Sequence, residues 1–145
     1  MGTWGGTPVA QEFVHDLGRD DFNAEWKRLS NQGMRLVKIQ AFPSSEEAYH
    51  LTGLFEAGSR EHAFYVYTDK RKFNQQYNDL GDSMQLIDFE VFVAGNGTTY
   101  YIGVWRETSS KHYFLWELNW DRLLNTLDYM NLDGYRLQKA IRYSS

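Results

Sequence analysis

Phe22-Asn23-Ala24-Glu25-Trp26-Lys27-Arg28-Leu29 reveals the architecture of this protein, because the chain contains two further copies of it. The copies are Phe73-Asn74-Gln75-Gln76-Tyr77-Asn78-Asp79-Leu80 and Leu123-Leu124-Asn125-Thr126-Leu127-Asp128-Tyr129-Met130. In each copy apolar residues occupy the first, fifth and eighth positions, which is the stripe of an amphipathic helix. The sequence therefore predicts three equivalent helices.

Three more landmarks accompany each helix in the same order, at steps of 50 or 51 residues. They are Gly2-Thr3-Trp4, Gly53-Leu54-Phe55 and Gly103-Val104-Trp105; then Phe13, Phe64 and Phe114; then, after the helix, Met34-Arg35-Leu36, Met84-Gln85-Leu86 and Tyr135-Arg136-Leu137. Four landmarks with one period indicate an internal repeat. We expect a single domain, residues 1–145, made of three repeats of about fifty residues: 1–48, 49–98 and 99–145.

The landmarks outside the helices have the composition of strands. Apolar and polar residues alternate along 37–41 and 87–93, and β-branched and aromatic residues are concentrated in 100–105 and 113–118. Gly95-Asn96-Gly97 is a hairpin signal, and Ala57-Gly58-Ser59 is a softer turn of the same kind. The predicted order in each repeat is strand, strand, helix, strand. The predicted fold class is α+β, with antiparallel three-strand meanders joined by helices.

Capping residues predict where the helices begin and end. The candidate N-caps are Asp20 or Asp21, Thr68 or Asp69, and Asn119 or Asp121. Gly33 and Gly134 stand where a glycine would end the first and third helices.

The phase of the repeat suggests closure. The sequence starts at the Gly-x-Trp element and ends after the Tyr135-Arg136-Leu137 element, without the polar terminal repeats that are typical of a solenoid. A closed arrangement with pseudo-threefold symmetry would explain this phase. We then expect the last strand, 135–143, to pair with the first, around Thr3-Trp4.

Composition excludes several classes of function. The net charge of −4 and the scattering of the 15 Lys and Arg residues argue against a nucleic-acid partner. The absence of cysteine excludes a disulfide scaffold, a thiolate zinc site and a cysteine nucleophile. No stretch approaches the roughly 18 apolar residues of a membrane span, and we expect no signal peptide before the folded part.

The titratable residues do not form a recognisable catalytic or metal-binding pattern. No histidine pair has metal-site spacing. Asp88 and Glu90 share one face of a predicted strand, but the other copies have Lys38 and Gln40, and Lys139 and Ile141, at those places. We therefore predict no catalytic residue, no metal and no cofactor, and leave open an acid–base pair confined to one copy.

The aromatic content of 17% fits either a core or a binding face. The best candidates for a shared binding site are the repeated aromatics with their polar neighbours, because ligand stacking needs an aromatic ring beside a polar group: Trp4, Phe55 and Trp105, with Glu56 and Arg106. The alternative is that these aromatics are core residues. His62 and His112 also hold equivalent positions, which are either ligand contacts or solvent-facing strand positions.

The motifs as a whole resemble a known repeat family. Trp26, Leu29 and Gly33-Met34-Arg35-Leu36, with Gly134-Tyr135-Arg136-Leu137 and the strand 100–105, are similar to the bacterial tandem repeat domain of secreted proteins. Similar repeats form the accessory domain of fungal polyglycine hydrolases. This chain departs from the pattern with Met34 for Tyr and Gln85 for Arg. The resemblance implies an extracellular or secreted accessory module and transfers no catalytic residue.

Three functions fit these observations. The leading hypothesis is a non-enzymatic, lectin-like binding module for a carbohydrate or peptide, with up to three quasi-equivalent sites that raise avidity. The first alternative is a structural or partner-docking repeat module. The second is a small-ligand carrier or enzyme that uses one divergent repeat. The sequence does not determine the oligomeric state.

Overall fold

A computed structural model describes residues 10–45, 47–115 and 119–140 of the chain. Its strands and α-helices in order are β1 (Gln11–Leu17), α1 (Arg19–Asn31), β2 (Met34–Pro43), β3 (Tyr49–Ala57), β4 (His62–Tyr67), α2 (Lys70–Leu80), β5 (Met84–Val93), β6 (Thr99–Glu107) and α3 (Trp120–Leu132), with a 3-10 turn (Gly81–Ser83) after α2. The α+β class and the three helices are confirmed.

The helix termini follow the predicted capping chemistry in two of the three helices. The Asp69 carboxylate accepts a hydrogen bond from the Arg71 backbone N–H at 2.8 Å, and Asn119 accepts one from the Arg122 N–H at 2.8 Å. The N-cap prediction for α1 is wrong, because this helix begins at Arg19 after Gly18. Asp20 and Asp21 lie instead in its first turn, where a negative charge is favourable next to the helix N-terminus.

The glycines that follow α1 and α3 have the predicted role. Gly33 has φ 78° and Gly134 has φ 85°, a left-handed conformation that costs glycine little and ends the helix there.

The strands form two antiparallel sheets within the described residues: sheet 1 with the order β1-β3-β2, and sheet 2 with the order β4-β6-β5. The predicted meander is therefore wrong. The helix between β1 and β2 carries the chain back so that these two strands run in the same direction, and the next strand fits between them, antiparallel to both.

The two turn signals have different outcomes. Gly95-Asn96-Gly97 does connect a hairpin, β5–β6, and Gly97 has φ 84°. Ala57-Gly58-Ser59 does not, because β3 ends at Ala57 in sheet 1 and β4 begins at His62 in sheet 2. The softer signal therefore marks the passage from one sheet to the next.

The two sheets repeat each other in detail. Leu36 lies opposite Phe55 and Leu86 opposite Trp105, and in both sheets the register then shifts by one residue. We call residues 11–57 the first unit and 62–107 the second unit. These packing units are offset from the predicted boundaries, since β3 completes sheet 1 although it falls within 49–98.

The third copy differs from these two units. We call the described residues 111–115 and 119–140 the third unit. Residues 113–115 and 135–140 are not in strands, which departs from the strands predicted for 113–118 and 135–143. Residues 116–118, 141–145 and Thr3-Trp4 lie outside the described residues, so the third repeat and the threefold closure stay predictions.

The core is layered because the middle strand of sheet 2 faces two helices. Ile102 and Val104 of β6 pack in one cluster with Phe22 and Leu29 of α1. Trp105, on the opposite face of β6, packs with Phe73 of α2. Each sheet thus packs on its own helix with one face, sheet 1 on α1 and sheet 2 on α2. The other face of sheet 2 also packs on α1.

Candidate functional site

Two of the three repeated aromatics are core residues. Phe55 and Trp105 have no exposed surface. Phe55 packs on Phe22 of α1 with ring centroids 6.2 Å apart, and Trp105 packs on Phe73 of α2 at 5.5 Å. A ligand cannot reach either ring, so the ligand-contact interpretation of these two residues is corrected to a core role. Trp4 lies outside the described residues.

The glycine of the Gly-x-Trp/Phe motif explains why these aromatics fit. A Cβ on Gly53 would lie 2.8 Å from Cζ of Phe22, and a Cβ on Gly103 would lie 3.0 Å from Cε2 of Phe73 and still closer to the Trp105 ring. Each glycine therefore lets the helix aromatic lie directly on the middle strand. The motif is a packing device.

The polar neighbours of these aromatics lie at the sheet surface. Glu56 and Arg106 are partly exposed, and Glu56 accepts a hydrogen bond from Nε2 of Gln11 on β1 at 3.0 Å. Arg106 lies opposite His62 in sheet 2. Because Phe55 and Trp105 face the core, these residues do not form an aromatic and polar pair on one accessible surface.

His62 has a packing role that neither sequence interpretation anticipated. Its ring stacks on Trp26 of α1 with centroids 4.5 Å apart, and Nε2 lies 3.1 Å from the Ser30 hydroxyl. That hydroxyl donates to the Trp26 carbonyl at 2.5 Å, so its oxygen is left to accept the Nε2 hydrogen of His62. Burial, reinforced by the charge of Arg35, lowers the pKa of His62 to about 4.

His112, the equivalent residue in the third unit, is bound within its own loop. Its Nδ1 lies 3.1 Å from the Ser110 carbonyl. The structure therefore does not bring His62 and His112 into one site.

An ionic cluster around one buried carboxylate connects the three copies, and the sequence alone did not predict it. Asp88 of β5 is 1% exposed. Its carboxylate accepts the backbone N–H of Ile39 on β2 at 2.7 Å and forms an ion pair with Lys139 of the third unit. Lys139 also lies 3.5 Å from Glu90. We call Asp88, Glu90 and Lys139 the central cluster.

Within the central cluster Asp88 is buried, whereas the side chains of Glu90 and Lys139 are partly exposed. Burial raises the pKa of Glu90, and the charge of Lys139 opposes that shift. The Asp88 and Glu90 carboxylates, which share one face of β5, are therefore both engaged by the same lysine. This pairing weakens the case for a general acid–base pair in this copy.

The central cluster also brings repeat-equivalent positions together. Lys38, Asp88 and Lys139 occupy the same place in the three copies, and all three line one pocket of about 240 Å³. The signal in the sequence was the reversal of charge at this place between copies. Charges of opposite sign attract when repeat-equivalent positions lie side by side, as Asp88 and Lys139 do.

An open cleft of about 1280 Å³ lies between the second and third units. Its apolar lining includes Phe89, Phe114, Leu123, Leu127 and Met130. Phe114, which also lines the cleft, packs on Phe73 with ring centroids 5.9 Å apart. We call this the third-unit cleft.

The side of α3 that faces away from the cleft exposes large apolar residues among the polar Asp121, Asn125 and Asp128. Leu124, Tyr129 and Leu132, which we call the outer face of α3, do not line the cleft and are 43%, 66% and 88% exposed. The equivalent residues are polar in both other helices or immediately after them: Asn23, Arg28 and Asn31 in the first copy, and Asn74, Asp79 and Asp82 in the second. The outer face is therefore a difference between the copies.

Within the described residues there is no group of three or more His, Asp or Glu side chains that could hold a metal ion. In the same part of the chain, no helix has the length and apolar character needed to cross a membrane.

Comparison with known proteins agrees with the packing unit. Searches of curated proteins and of solved structures found no match. Residues 8–57, however, match the family model described as polyglycine hydrolase-like, structural repeat. The matched segment contains β1, α1, β2 and β3 and ends at the same residue as sheet 1. Over this first unit the sequence resemblance is confirmed, and the unit is similar to that structural repeat family.

Proposed function

We propose that this chain is a non-enzymatic structural repeat module that docks a protein partner through the outer face of α3. The observation that carries the proposal is the exposure of Leu124, Tyr129 and Leu132 at positions that are polar in the other two copies. Residues that all copies share serve packing, as Phe55 and Trp105 do. A function specific to this chain is therefore expected where one copy departs from the others.

The chemistry of the outer face favours a protein over a sugar. Exposed apolar side chains that lie together mark protein interaction sites, and tyrosine is enriched at the centre of protein interfaces. Leu124, Tyr129 and Leu132 fit this description. A lectin-like site would instead need repeated exposed aromatics, and two of the three candidates are buried. The structural repeat family matched by the first unit is consistent with a docking module. From the family resemblance we also propose that the protein acts outside the cell.

Photo-crosslinking tests the proposed docking surface. A photoreactive amino acid replaces Leu132, and a matched control carries it at Asn31, the equivalent exposed position at the end of α1. We expect adducts with one protein from position 132 and none from position 31. That protein is then purified and its affinity is measured. Equal capture from both positions would contradict the proposal.

A second variant separates docking from folding. Leu124→Asn with Leu132→Asn gives α3 the residues that the first copy has at these positions. We expect the Kd for the captured protein to rise at least about tenfold, roughly 1.4 kcal/mol, with an unchanged urea midpoint. An unchanged Kd would overturn the proposal. Binding to a glycan array that is abolished by the same variant would favour the carbohydrate alternative.

A further inference from the structure

The inner side of α3 lacks the strand on which the other helices rest. Phe22 and Leu29 of α1, and Phe73 of α2, are buried against β3 and β6. In α3, which is described throughout, no residue is buried. Its equivalent residues face the third-unit cleft together with two residues that follow the helix. We call this set the inner groove: Leu123, Leu127, Met130, Tyr135 and Leu137.

We infer that residues 2–5 of this chain occupy the inner groove as the middle strand of a third sheet, and that Trp4 is a core residue there. Gly2 and Trp4 have the spacing of Gly53 and Phe55, and of Gly103 and Trp105. In the first two units this spacing lets an aromatic ring and a helix side chain meet over a glycine. The inner groove offers Leu123 at the place of Phe22 and Phe73.

The length of chain between Trp4 and β1 supports this placement. The first residue of β4, His62, comes seven positions after Phe55. The first residue of β1, Gln11, likewise comes seven positions after Trp4. The first of these connections carries the chain from the middle of sheet 1 to the edge of sheet 2. A connection of equal length carries it from a third sheet to the edge of sheet 1.

The contacts between successive units give a second, independent reason. Phe64 packs on Phe22 at 5.5 Å, and Phe114 packs on Phe73 at 5.9 Å, both with an interplanar angle of 58°. An equivalent contact between the third unit and the first would place the Phe13 ring on Leu123. Phe13 is 63% exposed, and Leu123 faces the open cleft. Both surfaces would be covered together.

The register of the known sheets predicts which residues meet. Arg106 lies opposite Gln85 in sheet 2, and the equivalent residues in the third sheet are Gly5 and Arg136. Residues opposite each other on neighbouring strands are close enough for a disulfide. The chain contains no cysteine, so an engineered pair has no competitor.

Disulfide trapping tests the inference. Gly5→Cys with Arg136→Cys is oxidised in the full chain, with Arg106→Cys/Gln85→Cys as the positive control and Gly5→Cys/Lys27→Cys as the negative control. We expect an intramolecular disulfide in the first two variants and little in the third. Failure of the test pair while the positive control forms would overturn the inference. A disulfide-linked dimer would also overturn it, by showing that a second copy fills the groove.

Hydrogen exchange checks the role of Trp4 separately. Trp4→Ala should speed amide exchange in α3 at least about tenfold, because the helix loses its packing partner, and Trp4→Phe should restore most of the protection. Unchanged exchange in Trp4→Ala would contradict a core role. Neither experiment involves the outer face of α3, so this inference can fail while partner docking stands, and the reverse.

Discussion

At the scale of the residue, His62 and His112 hold equivalent positions in two copies but make different contacts. The first copy has Gln11 at this place and the third has His112. Only in the second copy does the structure place the ring between sheet 2 and α1, stacked on Trp26 and bonded to Ser30. The side chain therefore belongs to the contact between units, where its protonation has an energetic cost.

His62 should make stability depend on pH in a defined window. Its pKa is about 4 in the folded state against 6.5 for a free histidine. Between these values the unfolded chain binds a proton that the folded chain does not, so stability falls as the pH is lowered from 6.5 towards 4. We expect His62→Gln to lose less stability than the wild type between pH 7 and pH 5, as measured by urea unfolding.

The control for this prediction is His112→Gln. The His112 ring is hydrogen-bonded to the Ser110 carbonyl within its own loop. Replacing His112 should therefore leave the change in the free energy of unfolding between pH 7 and pH 5 as in the wild type. An identical pH dependence in His62→Gln and the wild type would show that His62 is not responsible.

At the scale of the element, the middle strands β3 and β6 are built around a glycine. Gly53 allows the Phe22 ring of α1 to contact the backbone of β3, and Gly103 does the same for α2. The aromatic residue of the helix therefore needs the glycine of the strand in order to pack there. This coupling explains why they recur together in the repeat.

Gly53→Ala should destabilise the first unit. The new methyl group would lie 2.8 Å from Phe22 and 2.9 Å from Leu36, so the helix or the strand must move. We expect a loss of about 1–3 kcal/mol in the free energy of unfolding. Gly95→Ala is the control, because within the described residues nothing lies within 4 Å of its added Cβ. Equal urea midpoints for the two variants would refute this account of the motif.

At the scale of the whole molecule, the central cluster connects parts of the chain that are far apart in sequence. Asp88 accepts a hydrogen bond from β2 of the first unit and pairs with Lys139 of the third. A buried carboxylate is costly when its cationic partner is removed. The cluster therefore makes the stability of the second unit depend on both of the others.

Lys139→Met should lower the free energy of unfolding by about 3 kcal/mol, because Asp88 is left buried without its cation. Lys38→Met is the matched control: Lys38 holds the same repeat position but is exposed, so its loss should cost within about 0.5 kcal/mol. Adding Asp88→Asn to Lys139→Met should recover part of the loss. Similar effects of Lys139→Met and Lys38→Met in urea unfolding would argue against a special role for the cluster.

The amino-acid sequence is enough to predict the α+β class, the three helices and the likeness of the first unit to a structural repeat family, because these depend on local periodicity and on spacing along the chain. The position of β3 between β1 and β2 could not be predicted in this way, since strand order depends on contacts between distant segments. For the same reason the folded chain was needed to show that Phe55 and Trp105 are core residues and that Asp88 pairs with Lys139. A repeated aromatic residue gives the same sequence pattern whether its ring faces a ligand or a helix. A reversal of charge between copies indicates an ion pair only once the structure shows that the two positions are in contact.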